Sequence, residues 1–142
     1  CGFPKSGKST LAWSLHMKYD IPIRHCDDII DKSDWSSVSS EVEQWINQPA
    51  PWIIEGVATI RALRKWINNN PDRKLNDMSI IYLGRFLEIP SSGQINMAKG
   101  CKTIWCEIEN ELRSRGAKIV FKEDTEAFSK KTTVENKRKY RV

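Results

Sequence analysis

The chain has 142 residues, 39% of them hydrophobic and 29% charged, with a formal net charge of +5. That is the length and balance of one globular domain with a single core, and it excludes wholesale disorder. No apolar run approaches the ~18 residues that a membrane-spanning helix needs.

The opening residues, Gly2 to Ser9, read G-F-P-K-S-G-K-S and match G-x-x-x-x-G-K-[ST]. Directly behind them Leu11, Ala12, Leu15 and Tyr19 recur at helical spacing and predict a helix over 8–19. A short strand is expected over 21–26, ending in Asp27-Asp28. The serine-rich piece 36–40 offers a helix cap, and Val38, Val42, Trp45 and Ile46 mark a second helix stopped by Pro49 and Pro51. W-I-I-E-G-V at 52–57 reads as a buried strand. Ile60, Leu63, Trp66 and Ile67 mark a third helix, closed by Asn68-Asn69-Asn70-Pro71. A strand follows over 78–83, then a loop over 84–93.

A long helix is expected over 94–113, with Met97, Cys101, Ile104, Trp105, Ile108 and Leu112 as its apolar stripe and Gly116 at its end. Residues 118–121 form the last strand. Alternating strands and helices predict an α/β fold with a mainly parallel sheet. Five of the six tryptophans, all but Trp35, fall in these elements, and most are expected in the core.

The cysteines (Cys1, Cys26, Cys101, Cys106) form no C-x-x-C pair and share no metal-ligand spacing with His16 or His25. A reduced, cytoplasmic compartment fits them best. Charge is concentrated at one end. Residues 129–142 hold Lys130, Lys131, Lys137, Arg138, Lys139 and Arg141 against Glu135, so the tail carries the whole excess and the rest is neutral. Such a tail can contact phosphates, nucleic acid included.

The motif at 2–9 has a specific chemistry. Gly2 and Gly7 let the backbone turn tightly, so that successive N–H groups point inward around an anion. The helix N-terminus adds partial positive charge toward it. Lys8 is placed to reach β- and γ-phosphates, Ser9 to ligate Mg²⁺, and Thr10 to bond the α-phosphate side; Pro4, Lys5 and Ser6 complete the cradle. Such a loop ordinarily follows a buried central strand. None precedes Gly2, so that strand, five to ten residues, is expected to be largely missing from this chain.

With G-F-P-K-S-G-K-S-T at 2–10, H-C-D-D at 25–28 and W-I-I-E-G at 52–56 followed by Arg61 and Arg64, the chain resembles the P-loop kinases of the adenylate-kinase-like group. That group includes shikimate and gluconate kinases, zeta toxins and polynucleotide kinase. The likeness is nearest to its topology modulation proteins and to small phage P-loop ATPase-like proteins. It covers about residues 2–121. It implies a P-loop NTPase fold, a three-layer α/β/α domain over 1–121, with the basic tail at 122–142.

It also implies roles. Asp27 orients or deprotonates an acceptor hydroxyl, and Asp28 holds Mg²⁺ through water. Glu55 stands on the Mg²⁺ side of the loop. Arg61 and Arg64 bind the acceptor's phosphate. Arg85 and Lys99, with Lys102, supply lid cations, although the usual R-x-x-x-R lid is absent and Gly84 replaces a common Asp. No N-K-x-D guanine signature occurs, which favours ATP.

The expected function is therefore a small kinase that moves the γ-phosphate of ATP, with Mg²⁺, to a small-molecule or nucleotide hydroxyl. The alternatives are a nucleotide-binding regulatory protein with little turnover, and a nucleic-acid-associated P-loop protein that uses its basic tail.

Overall fold

The computed structural model describes residues 1–30 and 34–122. The basic tail, from residue 123 onward, lies outside the described residues. The fold is mixed α/β: α1 (Lys8–Tyr19), β1 (Ile23–His25), α2 (Asp27–Ile30), α3 (Trp35–Ile46), β2 (Ile53–Glu55), α4 (Thr59–Asn69), β3 (Ser79–Leu83), α5 (Ser92–Ser114) and β4 (Lys118–Lys122). The alternation expected from the sequence is present, and one short helix, α2, is added to it. β4 runs one residue past the anticipated domain boundary.

The strands form two parallel pairs. β1 lies beside β2 in the register Ile23↔Ile53, Arg24↔Ile54, His25↔Glu55. β3 lies beside β4, from Ser79↔Lys118 to Leu83↔Lys122. Parallel neighbours need long crossovers, which the intervening helices supply. α1 packs on β1 and β2, α3 on α4, and α4 on α5.

The free edge of β3 is taken in part by the first residues of the chain. Leu83 N–H donates to the Cys1 carbonyl (3.0 Å), and Phe3 N–H donates to the Leu83 carbonyl (2.9 Å). This is a parallel bridge between Gly2 and Leu83. Gly2 has φ +131°, and a Cβ there would stand 2.3 Å from the Leu83 carbonyl oxygen. Only glycine permits that approach. Below the bridge, β2 and β3 face each other without pairing across a groove of about 740 Å³, lined by Leu11, Leu15, Ile53, Ile54, Ile81 and Trp66 among others.

The core follows the sequence periodicities with instructive exceptions. α5 buries Ala98, Cys101, Ile104, Trp105, Ile108 and Leu112. Met97 is displaced from the stripe by Ala98 and lies at the surface. Tyr82 is stacked between Trp105 (centroids 4.4 Å apart) and Phe121 (5.3 Å), with Phe3 edge-on at 6.1 Å. Offset aromatic contacts of this kind add to simple burial.

Three tryptophans, Trp45, Trp66 and Trp105, are core residues; Trp13 is 58% exposed, Trp35 lies at the surface and Trp52 is half-buried. Three of the five tryptophans in the anticipated elements are thus core, as expected, while α1 buries only Ala12 fully and turns Trp13 outward. The cap of α3 is also not the serine run. It is Asp34, whose Oδ1 accepts from Ser37 N–H at 2.9 Å. Ser39 and Ser40 lie inside the helix and donate to the Ser36 carbonyl.

Candidate functional site

Residues 2–7 form a loop with left-handed or positive-φ backbone at Gly2, Lys5 (φ 52°) and Gly7 (φ 89°). Gly7 is the N-cap of α1. α3 and α5 close their N-termini with side chains, α5 through a full capping box between Ser91 and Gln94. α1, like α4, has no side-chain cap and no acid in its first turn. Its leading N–H groups and its positive dipole end are therefore left for another acceptor.

The segment after β3 straps this loop. Leu87 N–H donates to the Lys5 carbonyl (2.9 Å), and Arg85 Nε donates to the Ser6 carbonyl (3.3 Å). Lys5 pairs with Glu88 at 3.0 Å. Ser6 and Pro4 are buried, whereas Thr10 is exposed on α1.

At the loop–helix junction Lys8 turns back on the loop and donates to the Phe3 carbonyl and to Ser6 Oγ (3.4 Å). Burial pulls its pKa below the ordinary lysine value, and the Glu55 carboxylate opposes that shift. Ser9 Oγ donates to Glu55 Oε1 at 3.2 Å. Glu55 ends β2 and is only 5% exposed. His25 Nδ1 lies 2.6 Å from the same oxygen.

The β1–β2 register sets that contact, because it pairs His25 with Glu55 at the ends of both strands. A buried carboxylate needs such partners. Sequence spacing assigns His25 no role in the site. Its one signal was a place in H-C-D-D, next to the aspartates that drew attention.

Asp27 and Asp28 are both exposed in α2, one turn behind β1. Asp27 is near enough for its charge to act on the Lys8 ammonium. Arg61 lies over the Trp35 ring (5.9 Å) and lines a second pocket of about 240 Å³ with Met97 and Cys101. One of its lining residues, Cys101, packs behind the loop, with its Sγ 3.9 Å from the Gly2 carbonyl.

Arg64 is instead paired with Glu107 at 3.0 Å, away from the loop. Lys99 is exposed on α5, in the middle of a continuous helix. The structure thus gathers Gly2, Lys5, Ser6, Gly7, Lys8, Ser9, Glu55 and Arg85, sets Asp27 and Arg61 nearby, and leaves Arg64 and Lys99 outside.

Among the described residues no group of three or more His, Cys, Asp or Glu side chains could cage a metal ion. The donors at the junction are oxygens, Ser9 and Glu55. This chemistry suits a small hard cation that keeps water and ligand oxygens in most of its positions. Comparison with protein-family models, curated proteins and solved structures finds no match, so any reading rests on this geometry.

Cys26, behind the junction, is fully buried. Burial raises its thiol pKa from 9.0 to about 11, only partly offset by the Thr59 hydroxyl at 3.4 Å. A folded pKa above the unfolded one contributes stability that is complete below about pH 9 and is lost as pH rises through about 11. Urea melts of the parent should lose stability across that window, and Cys26→Ser should lose less. Ellman's reagent at pH 8 should label Cys106, which is exposed, and spare Cys26.

Proposed function

We propose that the chain is an ATP-binding P-loop protein, a small kinase that transfers the γ-phosphate with Mg²⁺ to a small-molecule or nucleotide hydroxyl. The observation that carries this reading is the contact of Ser9 with the buried Glu55 carboxylate, beside Lys8, at the uncapped start of α1. A hydroxyl bonded to an acid through its proton keeps its lone pairs for a cation. In this reading Ser9 would be a ligand for Mg²⁺, and Glu55 and Asp28 would help to hold it. When bound it neutralises charge on the phosphate oxygens.

The loop N–H groups and Lys8 hold the phosphates, and Arg85 approaches from the strap. In this reading Asp27 serves the acceptor hydroxyl and Arg61 the acceptor's phosphate. The Arg64–Glu107 pair argues against a direct part for Arg64.

The fold belonging to this reading is the three-layer P-loop NTPase. In that fold a central strand would lie between β2 and β3, where this structure has the groove. Supporting this are the parallel course of Cys1–Phe3 along β3 and the groove's apolar lining.

A second reading, nucleotide binding with little turnover, draws on Lys99. The stretch expected to provide lid cations is folded into α5, and Lys99 is exposed there. A nucleic-acid role for the basic tail concerns residues outside the described ones.

Lys8→Ala should weaken Mg·ATP binding by about 1.5–3 kcal/mol, the range of charge-assisted hydrogen bonds. Calorimetry showing unchanged affinity would falsify the phosphate-loop assignment. An N-terminal extension of five or six β-branched residues should raise the melting temperature by several degrees, since each kcal/mol gained moves it by roughly 3–5 °C. An unshifted transition would remove the strand from the groove. Labelled γ-phosphate should pass to an acceptor in a screen of sugars, nucleosides and small alcohols, and Asp27→Asn should lower transfer more than ATP binding. Tight ATP binding with no transfer to any acceptor would select the second reading.

A further inference from the structure

Glu55 is the least exposed acid at the junction, and its placement is not the work of Ser9 alone. Its Oε1 is approached from two sides, by Ser9 Oγ at 3.2 Å and by His25 Nδ1 at 2.6 Å. Ser9 belongs to α1 and His25 to β1, so the carboxylate is tied to two elements besides its own strand. The shorter contact is the histidine's. A carboxylate oxygen accepts, so Nδ1 carries the proton and the ring donates.

With Oε1 engaged twice, Oε2 is left without a hydrogen bond to any described residue. The His25 side chain is 34% exposed and lies at the strand end, next to Asp27 in α2. It therefore stands at the rim of the junction and not within the core.

Resting on the phosphate-loop reading, we infer that His25 is a positioning residue for the cation. Its Nδ1–H fixes the Glu55 carboxylate so that Oε1 receives the Ser9 hydroxyl proton while Oε2 and the Ser9 lone pairs face the cation. His25 itself touches neither nucleotide nor metal. Ser9 alone restrains the carboxyl less, because its 3.2 Å contact is the longer of the two and the histidine's 2.6 Å contact adds a second fixed donor. Hydrogen-bond donors behind a metal-binding carboxylate typically govern metal affinity by ten- to a hundredfold.

The test separates metal from nucleotide. ATP binding to the full chain is titrated calorimetrically at a series of Mg²⁺ concentrations and in EDTA, for the parent, His25→Leu and His25→Asn. Asparagine returns an N–H near the Nδ1 position; leucine does not. His25→Leu should raise the Mg²⁺ concentration for half-maximal enhancement at least tenfold and leave metal-free ATP affinity unchanged, and His25→Asn should recover most of the loss. Metal dependence within twofold of the parent in folded His25→Leu, or an asparagine variant as impaired as the leucine one, overturns the inference and leaves the phosphate loop standing.

A parent that binds no ATP under any condition overturns both. Should His25→Leu not fold, the ¹⁵N-histidine spectrum of the parent decides. The His25 Nδ1 resonance should be protonated and should move on adding Mg·ATP but not ATP with EDTA, and an unmoved resonance overturns the inference.

Discussion

The parallel bridge between Gly2 and Leu83 is the constraint on which the remainder of the site depends. It fixes where the chain enters the loop, and it demands glycine, because a Cβ would collide with the Leu83 carbonyl. From that point the path is short. Phe3 is pinned against Tyr82 and Phe86, the loop turns through Lys5 and Gly7, and α1 begins at Lys8. Ser9 is then one residue into the helix and meets Glu55 at the end of β2. Six residues thus convert a backbone pairing on β3 into a side-chain contact with the end of β2. The strap from β3 closes the circuit, since Arg85 and Leu87 bond loop carbonyls from the strand the loop started on.

Electrostatics at the junction follow from this closeness. Lys8 and Glu55 carry opposite charges and both are largely withdrawn from water. Burial lowers the lysine's pKa, and the carboxylate restores part of the shift. Neither charge is satisfied by the other alone: the ammonium bonds a loop carbonyl, and the carboxylate takes a hydroxyl and an imidazole. Removing one partner from such a cluster is costly because the remaining charge stays buried. The arrangement holds a positive and an oxygen-rich group side by side at a helix N-terminus, and a metal–phosphate ligand presents the complementary pair.

Local requirements were legible in the sequence and distant ones were not. The loop could be read because its glycines and its lysine answer to backbone geometry within eight residues. The helices could be read because burial repeats at their own period, and five of the six stripe positions on α5 hold. The stripe failed at Met97, where the small Ala98 takes the buried position, and the α3 cap failed because Asp34, ahead of the serine run, takes the Ser37 N–H. His25 could not be found by spacing. Its partner is thirty residues away, and only the β1–β2 register brings them together. Arg64 misled for the same reason: Glu107 lies forty-three positions on, and nothing near Arg64 announces it.

The supply of positive charge is where sequence and structure point to different residues. Phosphoryl transfer requires cations that follow charge onto the transferred oxygens. Lys99 would have to leave a continuous helix of 23 residues, capped at Ser91 and seated on the core through Ala98 and Cys101. Moving it means opening buried turns. Arg85 needs no such rearrangement. It already rests against the loop, held by a 3.3 Å hydrogen bond to the neutral Ser6 carbonyl. A charged group's bond to a neutral acceptor is worth about 1.5–3 kcal/mol, and a phosphate offers the guanidinium a bidentate, charge-assisted replacement. On the kinase reading, then, the cation that meets the transferred phosphate comes from the strap behind β3, and α5 serves as the wall that holds the strap and loop together.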